Sequence, residues 1–248
     1  MDPAALALLL FAIALLAGLV DAIAGGGGLI TLPALLSAGL GPVEALATNK
    51  AQGFFGTLAS TAHFLRAGSI ELRRSITAVI CTFLGAAAGA IAVQFVASDL
   101  LAGLIPLLLI GFGLYFLLSP RVSDLDSHRR IGDTAFALTV GTVVGFYDGF
   151  FGPGTGTFFA MGYIALLGHG LRRATAHAKL LNLTSNSAAI LLFSAGGQVV
   201  WSLGLPMVAG QLVGGWIGAH LVNRHGARLV RPILVAVSLA VSVKLLLN

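Results

Sequence analysis

Two stretches of this chain put an aspartate and a run of glycines inside long apolar segments. Gly18 to Gly28 reads GLVDAIAGGGG, and Gly145 to Gly156 reads GFYDGFFGPGTG. Asp21 and Asp148 lie 127 positions apart, and each is followed four residues later by the first glycine of its run, Gly25 and Gly152. Glycine runs interrupt helices and a carboxylate in an apolar segment is costly, so a fold that keeps both twice must use them.

The surroundings of these stretches define their solvent. The 248 residues are 57% hydrophobic and only 9% charged, with a mean hydropathy of +0.98, whereas a soluble domain draws about a quarter of its residues from Asp, Glu, Lys and Arg. This is the composition of an integral membrane protein. Strict alternation of apolar and polar residues is absent, which disfavours a membrane barrel. The net charge of +5 does not indicate a nucleic-acid partner, because the arginines sit in short loops between apolar runs. A single cysteine, Cys81, excludes an internal disulfide and any cysteine-based metal site. Asp2 is the only early charge, so no cleaved signal peptide is expected.

Ten apolar segments can be read, at about 4–24, 29–40, 43–65, 75–97 and 100–118, then 131–150, 157–167, 174–194, 199–222 and 229–247. The polar linker SPRVSDLDSHRR, 119–130, separates an N-terminal membrane repeat, 1–118, from a C-terminal one, 131–248. The halves align with an offset of two residues. ALATNKAQ at 45–52 falls on ATAHAKLL at 174–181, pairing Lys50 with Lys179, and GAAAGA at 85–90 falls on GGWIGA at 214–219. The latter are small-xxx-small patterns that let membrane helices approach closely.

Loop charges orient the copies. The positive-inside rule places the loops of Arg66, Arg73 and Arg74, of Arg121, Arg129 and Arg130, of Arg172 and Arg173, and of Arg224, Arg228 and Arg231 in the cytoplasm. All four placements hold together only if the first pair of segments in each half makes no net crossing. Segments 29–40 and 157–167 are too short to cross upright, so a re-entrant or broken pair is expected. The second repeat is then inverted, and the fold class is an all-α polytopic membrane protein. Each repeat has a Gly-interrupted helix pair plus three transmembrane helices, about 8 to 10 membrane segments in all. Inverted repeats with broken helices in matching positions are the signature of secondary transporters.

Broken backbone inside a membrane must be buried in protein or line a watery space. Gly25, Gly26, Gly27 and Gly28, with Gly152, Gly154, Thr155 and Gly156, are therefore expected at a site, with helices restarting near Leu29 and Thr157 and turning free N–H groups toward an anion. Lys50 and Lys179 either pair with Asp21 and Asp148 or bind an anionic substrate, alone or while bridged to them. Thr48, Asn49 and Gln52 in one copy, and His177, Asn182 and Asn186 in the other, offer hydrogen bonds to oxyanions. Asp21 and Asp148 either hold the broken segments or carry protons. Gln94 and Gln211 are candidate bridges between helices, and Trp201 an interface anchor. His63, His169 and His220 show no metal-ligand spacing, so neither a metal nor a cofactor is expected.

GLVDAIAGGGGLITLP followed by ATNKAQGFFGT, with the echo GFYDGFFGPGTGTF, resembles the sulfite exporter TauE/SafE family of bacterial membrane permeases, over essentially the whole chain. The resemblance implies a polytopic inner-membrane protein of about eight transmembrane segments that handles sulfite, sulfonates or related organic acids. Asn49 corresponds to Ala178 and Gln52 to Leu181, so a shared site is asymmetric. The expected function is secondary transport of such an anion by alternating access, gradient-driven because GGGGLIT lacks the Gly-Lys-Ser/Thr ending of a phosphate-binding loop. The expected partners are the anion and the lipid bilayer, with proton coupling open. An intramembrane enzyme using Asp, His and Lys, or a membrane scaffold, is the alternative.

Overall fold

Proline in the first turn and glycine just outside it set several helix boundaries. Pro3 opens the first helix, where the Asp2 carboxylate accepts the Ala5 N–H at 3.4 Å. Pro42 opens the third behind Gly41, whose N–H donates to Glu44 at 3.1 Å. The structure, a computed structural model, describes residues 2–118 and 126–225. Every regular element among them is helical: α1 (Pro3–Ala24), α2 (Gly28–Ser37), α3 (Pro42–Arg66), α4 (Leu72–Gln94), α5 (Ser98–Leu118), α6 (Asp133–Phe136), α7 (Thr142–Phe150), α8 (Thr155–Leu167), α9 (Leu171–Ala195) and α10 (Trp201–His225). A π-turn, Ala137–Gly141, joins α6 to α7 in one continuous rod. The segment boundaries read from the sequence agree within three residues; the segment at 229–247 and the linker residues 119–125 lie outside the described residues.

Helices α1, α4 and α10, of 22, 23 and 25 residues, are long and apolar enough to cross a membrane. They turn large apolar side chains outward, among them Leu8 and Leu16 on α1, Ile76, Ile80, Leu84 and Ile91 on α4, and Leu205 and Leu212 on α10. The lipid-side stripe on α4 repeats at helical spacing. Helices α3 and α9 are each 25 residues long, more polar, and buried at the centre. They pack on each other, while α10 covers α3 and α4 covers α9. In turn α1 lies along α10 and α7 along α4.

Small residues allow these last two contacts. Gly85 and Gly89 of α4 face the backbone of Thr142 and Phe146, and Gly214 and Gly218 of α10 face the backbone of Leu15 and Leu19. A side chain at any of the four would overlap a carbonyl of the neighbouring helix. The two glycine pairs thus do the same work at the two interfaces. Among the described residues Gln94 bonds within its own helix, where its Nε2 donates to the Ala90 carbonyl at 2.8 Å.

The loops rich in charge meet at one end of the molecule. Arg173, at the start of α9, reaches Glu71 at the start of α4 and Asp126 in the linker at 3.4 Å. Asp126 also accepts the Gly170 N–H at 2.5 Å, and Ser127 N–H donates to Gly168 at 2.7 Å. Ser69, after α3, bonds Asn223 near the end of α10 at 3.4 Å. The end of α3 and the start of α9 therefore share this end, and the two central helices run antiparallel.

Candidate functional site

Both helix breaks fall where the aspartate and glycine runs predict them. Helix α1 ends at Gly25, whose φ of 78° suits glycine and whose N–H donates to the Asp21 carbonyl at 2.8 Å. Helix α2 restarts at Gly28, one residue before the expected Leu29. In the second copy Gly152 and Gly154 have φ of 99° and 85°, and α8 starts at Thr155, two residues before the expected Thr157. The two breaks abut: Gly25 lies against Gly156, Gly28 against Pro153, and the Thr157 hydroxyl donates to the Ala24 carbonyl. Among the described residues no acceptor meets the N–H of Gly28 or Gly156.

Each lysine pairs with an aspartate across the linker. Lys50 Nζ contacts Asp148 Oδ1 at 2.5 Å and Asn186 Oδ1 at 3.4 Å. Asp148 Oδ2 accepts from Asn182 Nδ2 at 3.1 Å and from the Ser185 hydroxyl. Lys50 and Asp148 are only 3% and 1% exposed. Lys179 Nζ contacts Asp21 Oδ2 at 2.7 Å, and Asp21 Oδ1 accepts the Gly27 N–H at 3.3 Å. Lys179 is 1% exposed, but Asp21 is 16% exposed and holds fewer donors. The alternative in which the lysines meet the aspartates is thus what the structure contains, in a crossed arrangement, and charges buried this deeply require such partners.

A third group completes the surroundings. The Thr31 hydroxyl donates to Asn49 Oδ1 at 2.5 Å, and Gln52 Nε2 donates to Asn49 Oδ1 at 2.9 Å and Thr31 Oγ1 at 3.1 Å. Beside this group lies a half-open polar cavity of about 30 Å³. Asp21, Gly27, Gly28, Asn49, Lys50 and Gln52 line it from the first half, and Asp148, Gly152, Asn182 and Asn186 from the second. Gln211 and Gly53 complete the wall. A space of this size holds about two water molecules.

Other expected residues stand elsewhere. Lys179, Gly25, Gly26, Gly154, Thr155 and Gly156 do not line the cavity; Thr155 turns its hydroxyl to the Gly152 carbonyl at 2.6 Å, and Lys179 reaches the site only through Asp21. Thr48 accepts the Val200 N–H at 3.0 Å, in the loop between α9 and α10. His177 accepts the Glu71 N–H at 3.2 Å and its Nδ1 is 2.9 Å from the Arg173 carbonyl, which places it at the charged end. There its ring meets His169 at 5.1 Å and Tyr163 at 5.3 Å. Burial pushes His169, in the loop before α9, down to about 4, with His177 and Arg173 adding to the effect. Thr31, Ser185 and Gly53 are site residues that the sequence reading missed. Ser185 stands three residues after Asn182 and Thr31 four after Gly27, spacings that place each on its neighbour's face.

The family model described as Sulfite exporter TauE/SafE matches residues 10–245. The chain belongs to the TauE/SafE family. Within it, the chain is 48% identical over 237 residues to the probable membrane transporter protein YfcA of Escherichia coli (strain K12), covering 96% of this chain and 88% of that one. It is 44% identical to the probable membrane transporter protein ORF9 of Sinorhizobium sp, covering 96% and 91%. A probable membrane transporter protein of Haemophilus influenzae is 43% identical, with 96% and 93% covered. No solved structure matches the chain. The apolar helices α1, α4 and α10 fit this TauE/SafE chain as a multi-pass membrane protein.

Proposed function

We propose that this chain is a secondary transporter that moves a small anion, such as sulfite, an organosulfonate or a related organic acid, across the cytoplasmic membrane. The observation that carries the reading is the pair of crossed Lys–Asp contacts around a polar cavity where two helix breaks abut. The names of the relatives, probable membrane transporters, agree with it. So does the family description, a sulfite exporter.

The working parts are two inverted repeats, 1–118 and 131–248, joined by the linker 119–130 on the cytoplasmic side. Three features support this division: the antiparallel α3 and α9, the exchange of partners between α1–α10 and α7–α4, and the gathering of basic loops at one end. An oxyanion does not fit a space for about two waters, so it binds as the repeats part and the lysines loosen from the carboxylates. Lys50 then takes the anion's charge, and the unused N–H of Gly28 at the start of α2 adds a donor.

Two lysines and two aspartates leave the site formally neutral, so an entering anion adds an uncompensated charge at membrane depth. A proton taken up by a carboxylate removes it. Asp21, with fewer donors and access to water, is assigned that proton, and Asp148 is assigned the support of Lys50.

Anion-induced thermal stabilisation of the purified protein tests the site. Sulfite, sulfate, thiosulfate, short sulfonates and carboxylates are screened against wild type, Lys50→Met and Lys179→Met. One anion class is expected to raise the melting temperature of wild type and of neither variant. Shifts that survive both substitutions would remove the lysines from the site. In proteoliposomes carrying an internal pH dye, uptake of the stabilising anion is expected to move protons with it, and Asp21→Asn to uncouple the two. Anion uptake with no pH change in wild type would end the assignment of Asp21.

A further inference from the structure

Gln52 is 1% exposed and lines the cavity, and its Oε1 is a buried acceptor with no partner among the described residues. Its neighbours fix which end of the amide is left over. Nε2 is spent on Thr31 Oγ1 and Asn49 Oδ1, and the Thr31 hydroxyl at 2.5 Å marks Asn49 Oδ1 as an acceptor. Turning the Gln52 amide over would set two carbonyl oxygens 2.9 Å apart. The unused group is therefore a carbonyl.

A bare anion cannot satisfy it. Carboxylate, sulfonate and fully deprotonated oxyanion oxygens accept hydrogen bonds and donate none. They suit Lys50 and the Gly28 N–H, yet they offer Gln52 Oε1 no donor. Three other acceptors of the cavity are engaged: Asp148 by Lys50, Asn182 and Ser185, Asn186 Oδ1 by Lys50, and Asp21 by Lys179 and the Gly27 N–H. A buried carbonyl without a donor costs binding energy, and a ligand that supplies the donor recovers it.

We infer that the transported anion carries an O–H donor beside its anionic group, as in a hydroxy-substituted carboxylate or sulfonate or an oxyanion that keeps one acid proton, and that Gln52 Oε1 accepts it. Gln52 is then a specificity-determining residue. The inference rests on the anion-transport reading and narrows its substrate class. It also gives the difference between the halves a use, since Leu181 stands at the position in α9 that corresponds to Gln52 and offers no such acceptor.

Matched probes test it on the full-length protein by titration calorimetry: hydroxyacetate against acetate, and 2-hydroxyethanesulfonate against ethanesulfonate. Wild type is expected to bind the hydroxylated member of at least one pair about tenfold more tightly. Gln52→Leu is expected to bring that ratio close to one by weakening the hydroxylated member alone, and Gln52→Met serves the same purpose if the leucine variant fails to fold. A ratio near one in wild type overturns the inference, because a retained water then completes the amide. A preference that survives both substitutions overturns it as well. If all four probes bind wild type equally and Lys50→Met abolishes binding, the donor inference falls while the anion reading stands. If no probe binds wild type, the donor inference falls, and the anion reading falls with it only when sulfite, sulfate and thiosulfate also leave the melting temperature unchanged.

Discussion

Lys50→Ala is expected to be the most destabilising single change at the site. Removing one partner of a buried ion pair costs about 3–5 kcal/mol, because the other charge stays behind without compensation. Asp148, 1% exposed, would be left with the Asn182 and Ser185 donors and no countercharge. Lys179→Ala should cost clearly less, since Asp21 is 16% exposed and can be hydrated. The double change Lys50→Leu, Asp148→Leu removes both charges and should regain most of the lost stability. Thermal unfolding of the three variants and wild type measures all of this. A Lys50→Ala protein that melts with wild type would mean that the pair holds nothing together. Transport by the double variant adds a separate result: it should be folded and inactive, and if it transports, the pair serves only the fold.

Gly89→Leu should be nearly as damaging, for a steric reason. At Gly89 even a Cβ would overlap the Phe146 carbonyl on α7, and overpacking of this kind costs about 1–3 kcal/mol or more when backbone must move. Two helices that meet through their backbones cannot give way by rotating a side chain. Gly103→Leu is the control, because nothing lies within 4 Å of a Cβ there and the glycine is exposed on α5. The expected outcome is a large loss of folded, monodisperse yield for Gly89→Leu and none for Gly103→Leu. Equal yields would show that α4 and α7 do not rely on this close approach. Gly218→Leu, at the matching place on α10, should repeat the Gly89 result.

The sequence carried the breaks clearly, since an aspartate four residues ahead of a glycine run has few uses in an apolar helix. It also carried the lysines, whose cost in a membrane singles them out. The choice of partners was not legible. Asp21 and Asp148 were equally available to either lysine on paper, and only the folded site, which sets Lys50 beside Asp148 and Lys179 beside Asp21, decides between them. Thr48 and His177 were placed at the site because each lies two residues before a lysine. Two residues along an α-helix is a turn of about 200°, which carries both side chains away from the face that holds Asn49 and Gly53, or Asn182 and Asn186. Thr31 went unnoticed for the opposite reason, as a threonine in an apolar segment commonly bonds its own backbone. Thr31 does reach Gly27 O at 3.2 Å, but its shorter contact is to Asn49.

The crossed pairing also sets a timetable for synthesis. The partner of Lys50 lies 98 residues downstream of it, and the partner of Asp21 lies 158 residues downstream. At roughly 5–20 residues per second, a ribosome takes about 8 to 30 s to make the second stretch. For that interval the nascent N-terminal half holds a cation and a carboxylate whose native partners have not been made. Lys50 and Asp21 must meanwhile be tolerated at the translocon, by each other or by water, and a nascent chain that stalls before Lys179 presents cellular quality control with a charged and unfinished membrane segment.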